Sequence, residues 1–529
     1  MEKMVGIIYN YVWSIPLVGL CLAAGLFYSI LTRFVQVRLF GEMIRLLFKG
    51  KPSNDGISSF QALAVSLAGR VGMGNIAGVA AAIGFGGPGA VFWMWIVAFL
   101  GASTAYVEST LGQIYKERDA ITGEYRGGPA YYFERALGQR WYGILFAFAA
   151  IIACGIFLPG VQANGVISAV ANIAGEGSSQ NVMGMAFGST RLIALGIILV
   201  LLGFIIFGGI KRIARFTEYA VPFMALGYIV LALFIMFTNF SKIPEVFGMI
   251  IGDAFTPMAA FGAAIGLGVK RGIYSNEAGQ GTGPHAAAAA EVDHPAQQGL
   301  VQAFSVYVDT LLVCSATAFM ILSTGMYNVQ CLASNDCTTA ADGTYLVQNV
   351  PLDTVISSPS FTQMAMDSVY GTFGDSFIVL AIFFFAFTTL LAYYYIAEVN
   401  IAYLTRFFGK DVAKVSRVLV KILIMVMVAY GGLNEATYIW TLGDIGVGLM
   451  AWLNIIGIIV IFFVARPTID ILRDYEAQRK AGGGTSAKRF TFDPLKFGIT
   501  NAPYWEERNL QEREREQEIL KENALRKDL

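Results

Sequence analysis

The sequence predicts an all-α polytopic membrane protein of about eleven transmembrane helices, one N-terminal helix followed by two groups of five. Three observations carry this reading: the composition, the spacing of the apolar runs, and the charge of the loops between them. Of 529 residues, 56% are hydrophobic and 14% charged, against roughly 25% charged in soluble domains. A soluble chain of this length would divide into about three domains joined by polar linkers. Instead, apolar runs follow one another from Tyr11 to Arg466 with only short breaks.

A helix that crosses the hydrocarbon core needs about 20 mainly apolar residues. Runs of this kind lie at 11–33, 59–84, 89–115, 141–165, 191–209, 216–239, 248–290, 298–326, 372–404, 414–432 and 436–465. The first, from Tyr11 to Leu31, is longer than the roughly 7–15 residues of a signal-peptide core and leads into Arg33, so it reads as a helix.

Cytoplasmic loops are enriched in Lys and Arg, and alternate loops here differ in that way. Segment 33–58 carries Arg33, Arg38, Arg45, Lys49 and Lys51, and segment 116–140 carries Lys116, Arg118, Arg126, Arg135 and Arg140. Loops 210–215 and 405–417 are also basic, whereas the long loop from Ser323 to Gly374 has neither Lys nor Arg. The N-terminus is therefore expected outside and the C-terminus in the cytoplasm. The membrane domain spans 1–466, with helix 11–33, a first repeat at 59–239 and a second at 245–465. A charged tail, 467–529, follows. From Trp505 onward the tail is dense in Glu, Arg and Lys without a broad apolar stripe, which predicts a solvated helix or disorder, with a partner-binding element as the alternative.

Formal net charge is zero, and 13 of the 37 Lys and Arg residues lie at or beyond Arg466, so nothing points to nucleic acid. Cys21, Cys154 and Cys314 fall in apolar runs and read as small buried hydrophobes. Cys331 and Cys337 lie in the loop expected outside, where a disulfide could persist.

Two runs contain what an ordinary span avoids. GRVGMGNIAGVAAAIGFGGPGAVFWMW, from Gly69 to Trp95, has Gly72, Gly74 and Asn75 near mid-membrane. GVKRGIYSNEAGQGTGPHAAAAAEVDHP, from Gly268 to Pro295, places a polar, glycine-rich stretch containing Asn276 and Gly279 before an alanine run. In lipid an opened turn persists only where it lines a protein cavity and something satisfies its backbone groups. With the N-terminal helix set aside, these interrupted segments open the two groups of five. Matching interruptions in two halves point to the binding site of a secondary transporter.

Ionisable residues within spans are functional candidates. Glu108, in AYVESTLGQ, can brace an opened neighbour by accepting its amides, and Asp309, in VYVDTLLVC, can help hold a cation or carry a proton. Thr388 and Thr389, in FFFAFTTLLAYYYIAE, either bond back to their own helix or join released carbonyls in a hard-oxygen site for a monovalent cation. Gln162 and Asn164, in FLPGVQANG, offer amides to a polar ligand.

Other classes fit less well. Gly72-x-Gly74 lacks the flanking βαβ unit of a dinucleotide site, and no GxxxxGK[ST] or GxSxG occurs. The only histidines are His285 and His294. No enzyme is expected. A channel or sensor on the same scaffold is the alternative class.

The strings GMGNIAGVAAAIGFGGPGAVFWMW, GEYRGGPAYYFERALG, KRGIYSNEAGQGTGPHAAAA and FAFTTLLAYYYIAE occur in this order. They resemble the alanine or glycine:cation symporter family, and the resemblance covers about residues 11–466. It implies membership of the amino acid-polyamine-organocation superfamily and a LeuT-type core of five-plus-five inverted repeats. It also implies sodium-coupled, sometimes proton-coupled, uptake of small neutral amino acids through the plasma membrane, chiefly alanine and glycine, with glutamine transporters among the members. By position, Ala68 and Val71 match carbonyls that form a sodium site with Thr388 and Thr389. Gly72, Met73, Gly74 and Asn75 match the turn that receives the substrate carboxylate, and Glu108 matches the bracing carboxylate. The family pattern carries Thr where this chain has Met73, a departure that changes pocket size and polarity. No cofactor is implied beyond sodium as the coupling ion. The implied partners are a small neutral amino acid, sodium or a proton, and the lipid bilayer.

Overall fold

The computed structural model describes residues 2–48, 56–182, 185–255, 263–330, 345–351, 354–484 and 489–527. Cys331 and Cys337 lie outside them. Helices dominate, and the strands among the described residues form three two-stranded hairpins.

The first apolar stretch is two helices, α1 (Glu2–Val12) and α2 (Ile15–Leu31), with Ser14 at the N-cap of α2 and a proline in its first turn. It therefore begins well before residue 11. A short helix, α3 (Phe40–Phe48), precedes the first interrupted pair, α4 (Ser59–Arg70) and α5 (Gly74–Gly86). A capping box starts α4: the Gln61 amide donates to Ser58 Oγ at 3.1 Å and the Ser58 amide to Gln61 Oε1 at 3.0 Å. The two helices meet at 51°.

Next come α6 (Gly89–Ile114), a hairpin of β1 (Glu117–Arg118) and β2 (Tyr125–Arg126), α7 (Pro129–Leu137) and α8 (Arg140–Ala174). Then follow α9 (Ser189–Ile206) and α10 (Gly209–Thr238). Because α10 starts at Gly209, Lys211, Arg212 and Arg215 are helical, not loop residues. The second half contains α11 (Ile243–Ala254), α12 (Ala263–Asn276), α13 (Gly283–Ala289) and α14 (Pro295–Thr324). It continues with α15 (Ser360–Tyr370), α16 (Thr372–Thr405), α17 (Lys410–Leu433) and α18 (Ala436–Ala465).

Among the described residues, eight helices are long and apolar enough to cross a membrane, or nine if the bent α4–α5 pair counts as one span. Two of the eleven expected runs fall short by that measure. Run 248–290 is divided among α11, α12 and α13, each too short to span alone. The helix α17 is long, but Lys410, Asp411, Lys414, Arg417 and Lys421 charge its first half.

Small residues let the helices approach closely. A Cβ added to Gly112 of α6 would lie 2.8 Å from the Pro284 carbonyl oxygen, and one on Gly431 of α17 would lie 2.1 Å from Gly160 Cα of α8. Beside the bundle end, buried Arg126 grips Glu398 of α16 with two hydrogen bonds of 2.9 Å. Asp119 joins the cluster, 3.1 Å from Arg126 and 2.6 Å from Arg417. Burial opposes ionisation of Asp119, but Arg126 and Arg417 outweigh it and hold the carboxyl at about 2.

Beyond the bundle are α19 (Pro467–Lys480) and α20 (Pro503–Lys527). The expectation of a wholly solvated tail is corrected at Trp505, which is only 1% exposed. No apolar stripe announces this, because the anchor is a single aromatic pair, Tyr504 and Trp505.

Candidate functional site

The first interruption is a true opening. Val71 ends α4, its amide reaching back to the Leu67 carbonyl at 2.7 Å, and α5 begins with a wide π-helical turn, Gly74–Gly78. Between them the Gly72 amide donates to Asn75 Oδ1 at 2.8 Å and the Met73 amide to Gln162 Oε1 at 3.0 Å. Side-chain amides of Asn75 and α8 thus satisfy the donors that the break frees. Gly72 is required by close approach, since a Cβ there would lie 2.4 Å from Thr389 Oγ1.

The second interruption runs from Asn276 to Gly283, with Gly279 and Gly281 at positive φ (+88° and +81°) and Glu277, a residue with a Cβ, at φ +57°. Glu108 of α6 braces it. Its Oε1 accepts the Gly279 amide at 3.3 Å and its Oε2 the Gly281 amide at 3.1 Å. Asn454 of α18 completes the brace, donating to Glu108 Oε2 at 2.7 Å and to the Gly279 carbonyl at 3.0 Å. Asn276 uses its own Oδ1 to accept the Ala278 amide at 3.0 Å. Among the described residues its Nδ2 and the Tyr274 hydroxyl, both buried, have no hydrogen-bond partner, and such groups call for a ligand or water.

Asp309 ties the two openings together. It lies in another π-helical turn, Tyr307–Cys314 of α14, and accepts from Asn75 Nδ2 at 2.6 Å, Ser275 Oγ at 2.8 Å and Thr310 Oγ1 at 2.6 Å. Wide turns of this kind concentrate at functional sites.

The threonine pair is wholly buried in α16. Thr389 Oγ1 lies 2.7 Å from the Ala68 carbonyl oxygen, 3.5 Å from that of Val71 and 2.9 Å from that of Phe385. Thr388 Oγ1 bonds back to the same Phe385 carbonyl at 3.1 Å and faces Met224 of α10. Both hydroxyls bond back within α16, and that of Thr389 also contacts the opened helix. Ala68, Val71, Thr388, Thr389 and Phe385 present only neutral oxygens, the donor type that a hard monovalent cation takes.

Two sequence-picked residues serve elsewhere. Asn164 turns from the break and donates to the carbonyls of Gly431 at 3.2 Å and Asn434 at 2.8 Å. It lines a cavity of about 720 Å³ with Asn172, Arg191, Asp367 and Glu435. Met73 packs on Gly165 of α8, where an added Cβ would lie 2.4 Å from its sulfur.

Sequence reasoning missed Phe385, Asn454, Ser275, Glu277 and Arg70. A backbone carbonyl such as that of Phe385 leaves no sequence signal. Arg70 and Glu277, charged and buried at 1% and 2% exposure, carried the signal already used for Glu108 and Asp309.

A many-helix membrane protein whose interrupted helices bring backbone groups into a buried polar centre is a secondary transporter. The sodium:alanine symporter family model matches residues 1–489. The Bacillus subtilis (strain 168) carrier protein YrbD is 52% identical over 519 residues, covering 97% of this chain and 100% of its own. The sodium/proton-dependent alanine carrier protein of Bacillus sp. (strain PS3) is 46% identical over 471 residues, 88% of this chain and 97% of its own. A Bacillus subtilis protein named a probable sodium/glutamine symporter, GlnT, is 40% identical over 489 residues, 91% of this chain and 92% of its own. The chain belongs to the sodium:alanine symporter family and is a transporter, not an enzyme.

Proposed function

We propose that this protein couples sodium entry to the uptake of alanine across a bacterial plasma membrane by alternating access. The supporting observation is the 2.7 Å contact of Thr389 Oγ1 on α16 with the Ala68 carbonyl in the last turn of α4, beside the break. Sodium placed among the Ala68, Val71 and Phe385 carbonyls and the two hydroxyls would draw α16 onto the opened helix. Closure of the amino acid site then depends on ion occupancy. The substrate carboxylate takes the amides of Gly72 to Asn75, displacing the side-chain oxygens of Asn75 and Gln162. Asn276 Nδ2 and the Tyr274 hydroxyl supply further contacts from the second break.

In this reading the core is a LeuT-type pair of inverted five-helix repeats, 59–239 and 245–465, behind one extra N-terminal helix. It gives eleven spans, with α17 and the α12–α13 pair as spans that length and hydropathy alone do not count. The N-terminus is outside, the tail is in the cytoplasm, and the cavity at Asn164 opens outward. Names among the relatives support alanine, with the sodium/glutamine name at lower identity. Purified protein in proteoliposomes, preloaded with unlabelled alanine, glycine or glutamine, tests this by counterflow of labelled alanine with and without sodium. Sodium-dependent counterflow of labelled alanine into alanine-loaded vesicles is expected; absence of labelled-alanine counterflow, counterflow indifferent to sodium, or passive flux without saturation overturns the reading.

A further inference from the structure

The last helix of the tail docks on the segments that flank both interrupted helices. α13 ends at Ala289, and its terminal carbonyls need partners. Gln113 of α6 donates to the Ala287 carbonyl and, at 2.9 Å, to that of Ala290, and Lys116 Nζ reaches the Ala290 oxygen at 2.7 Å. The strand-like entry to α4 pairs here too: the Ile57 amide donates to the Ala289 carbonyl at 3.1 Å and the Glu291 amide to the Ile57 carbonyl at 3.0 Å. The start of one broken helix and the end of the other therefore share one hydrogen-bonded seam.

Residues 504–508 clamp this seam from outside the bundle. Trp505 Nε1 donates to the Gln113 carbonyl at 2.9 Å. The Tyr504 ring covers Lys116, whose ammonium lies 4.1 Å from its centroid and 4.5 Å from that of Tyr125. Arg508 donates to the Val292 carbonyl at 2.7 Å and meets Asp293 at 3.2 Å. The preceding segment is held as well, through Lys496 to Asp474 at 2.7 Å and through Phe492 against Trp505, centroids 5.0 Å apart. The tail partners in these contacts, Phe492, Lys496, Tyr504, Trp505 and Arg508, lie beyond residue 489, where the family match ends.

We propose that residues 489–508 are a latch that holds the cytoplasmic gate shut. Docked, the latch fixes Gln113, Lys116 and residues 290–293 around Ile57, so α4 and α13 cannot part. Opening toward the cytoplasm requires Tyr504 and Trp505 to leave, and release of the latch sets how often the gate opens. The inference rests on the alternating-access reading, and its test separates the two.

Ile57, 3% exposed, becomes the reporter as Ile57→Cys in the full chain. Its reaction with a membrane-impermeant thiol reagent is timed in everted vesicles against the chain without the reporter. Adding Trp505→Ala is expected to raise the labelling rate about ten-fold, as a shift of about 1.4 kcal/mol toward the open gate would give. An unchanged rate overturns the latch. Labelling needs no substrate, so it decides the matter even if the protein fails to carry alanine.

A second arm keeps the docked structure. Tyr125→Cys with Tyr504→Cys, at rings 4.9 Å apart, is bridged by a short bis-thiosulfonate reagent. Sodium-driven uptake is expected to fall about ten-fold and to return on reduction. Full-rate uptake while bridged overturns the latch.

Discussion

The Asn75 side-chain amide donates to Asp309 Oδ1 at 2.6 Å, and the other carboxylate oxygen accepts from Ser275. One buried side chain on α14 thereby fixes the distance between the two opened turns. Asp309→Ala removes the acceptor shared by Asn75, Ser275 and Thr310 and leaves Asn75 and Ser275 only the weaker Cys314 sulfur and, for Asn75, the residue 309 carbonyl, a loss of about 1 kcal/mol per hydrogen bond. The expected outcome is lower thermal stability in detergent together with loss of alanine binding. Asp309→Asn keeps the shape and one acceptor, so it should retain most of the stability while weakening alanine affinity. Thermal unfolding and calorimetry on the same samples separate the two effects.

Cation coupling is expected to run through α16. Thr388→Val with Thr389→Val keeps volume but removes two oxygens, and substrate and ion affinities are linked reciprocally. Alanine affinity should fall about ten-fold or more at saturating sodium, a change of at least about 1.4 kcal/mol, and lose its sodium dependence. Thr441→Val, whose hydroxyl bonds back to the Thr437 carbonyl of α18 at 2.8 Å, should leave both unchanged. A wild-type sodium response in the double variant would place the ion elsewhere.

Gly72→Ala is a sharper probe of the opened turn than a change at Gly74. A Cβ at Gly72 would lie 2.4 Å from Thr389 Oγ1 and 3.0 Å from Gln162 Oε1, whereas at Gly74 the nearest atom is 3.1 Å away on Tyr274. The added methyl should push α16 off the break and abolish sodium-dependent alanine binding. Normal binding in Gly72→Ala contradicts the assigned pocket.

Asp119 gives a pH-dependent contribution to stability. Its folded value of about 2 lies below the ordinary 3.8, so its stabilisation is complete above about pH 4 and is lost as pH falls through about 2. The parent should therefore lose more thermal stability than Asp119→Asn between pH 5 and pH 3, in scans of detergent-solubilised protein. Parallel curves for the two would remove the role given to Arg126 and Arg417.

The orientation proposed from loop charge can be tested directly. Cysteines at the exposed positions Val355 and Val412 should react with an impermeant reagent from opposite faces, the first in intact cells and the second only after permeabilisation. Reaction of both from the same face would sink the eleven-span topology.

The sequence alone determined the class of protein, because burial in lipid imposes a local rule: apolar runs must be long, and basic loops stay on one side. It also marked both interruptions, since Gly72, Gly74 and the SNEAGQG stretch break that rule where they stand. Glu108, Asp309 and the threonine pair were legible for the same reason, as polar groups in apolar surroundings. Partnership was decided only by tertiary structure. That Thr389 meets Ala68 while Thr388 turns to Phe385, that Asn164 leaves the break for the Asn434 carbonyl, and that Asn454 completes the Glu108 brace all depend on how helices rotate against one another. Helix rotation is set by packing at contacts such as Gly160 against Gly431, whose residues lie far apart in the chain. The tail shows the limit most plainly: residues 504–508 carry no periodic signal, and their burial exists only because Gln113 and Lys116 at the end of α6 and Val292 in the α13–α14 connection converge to receive them.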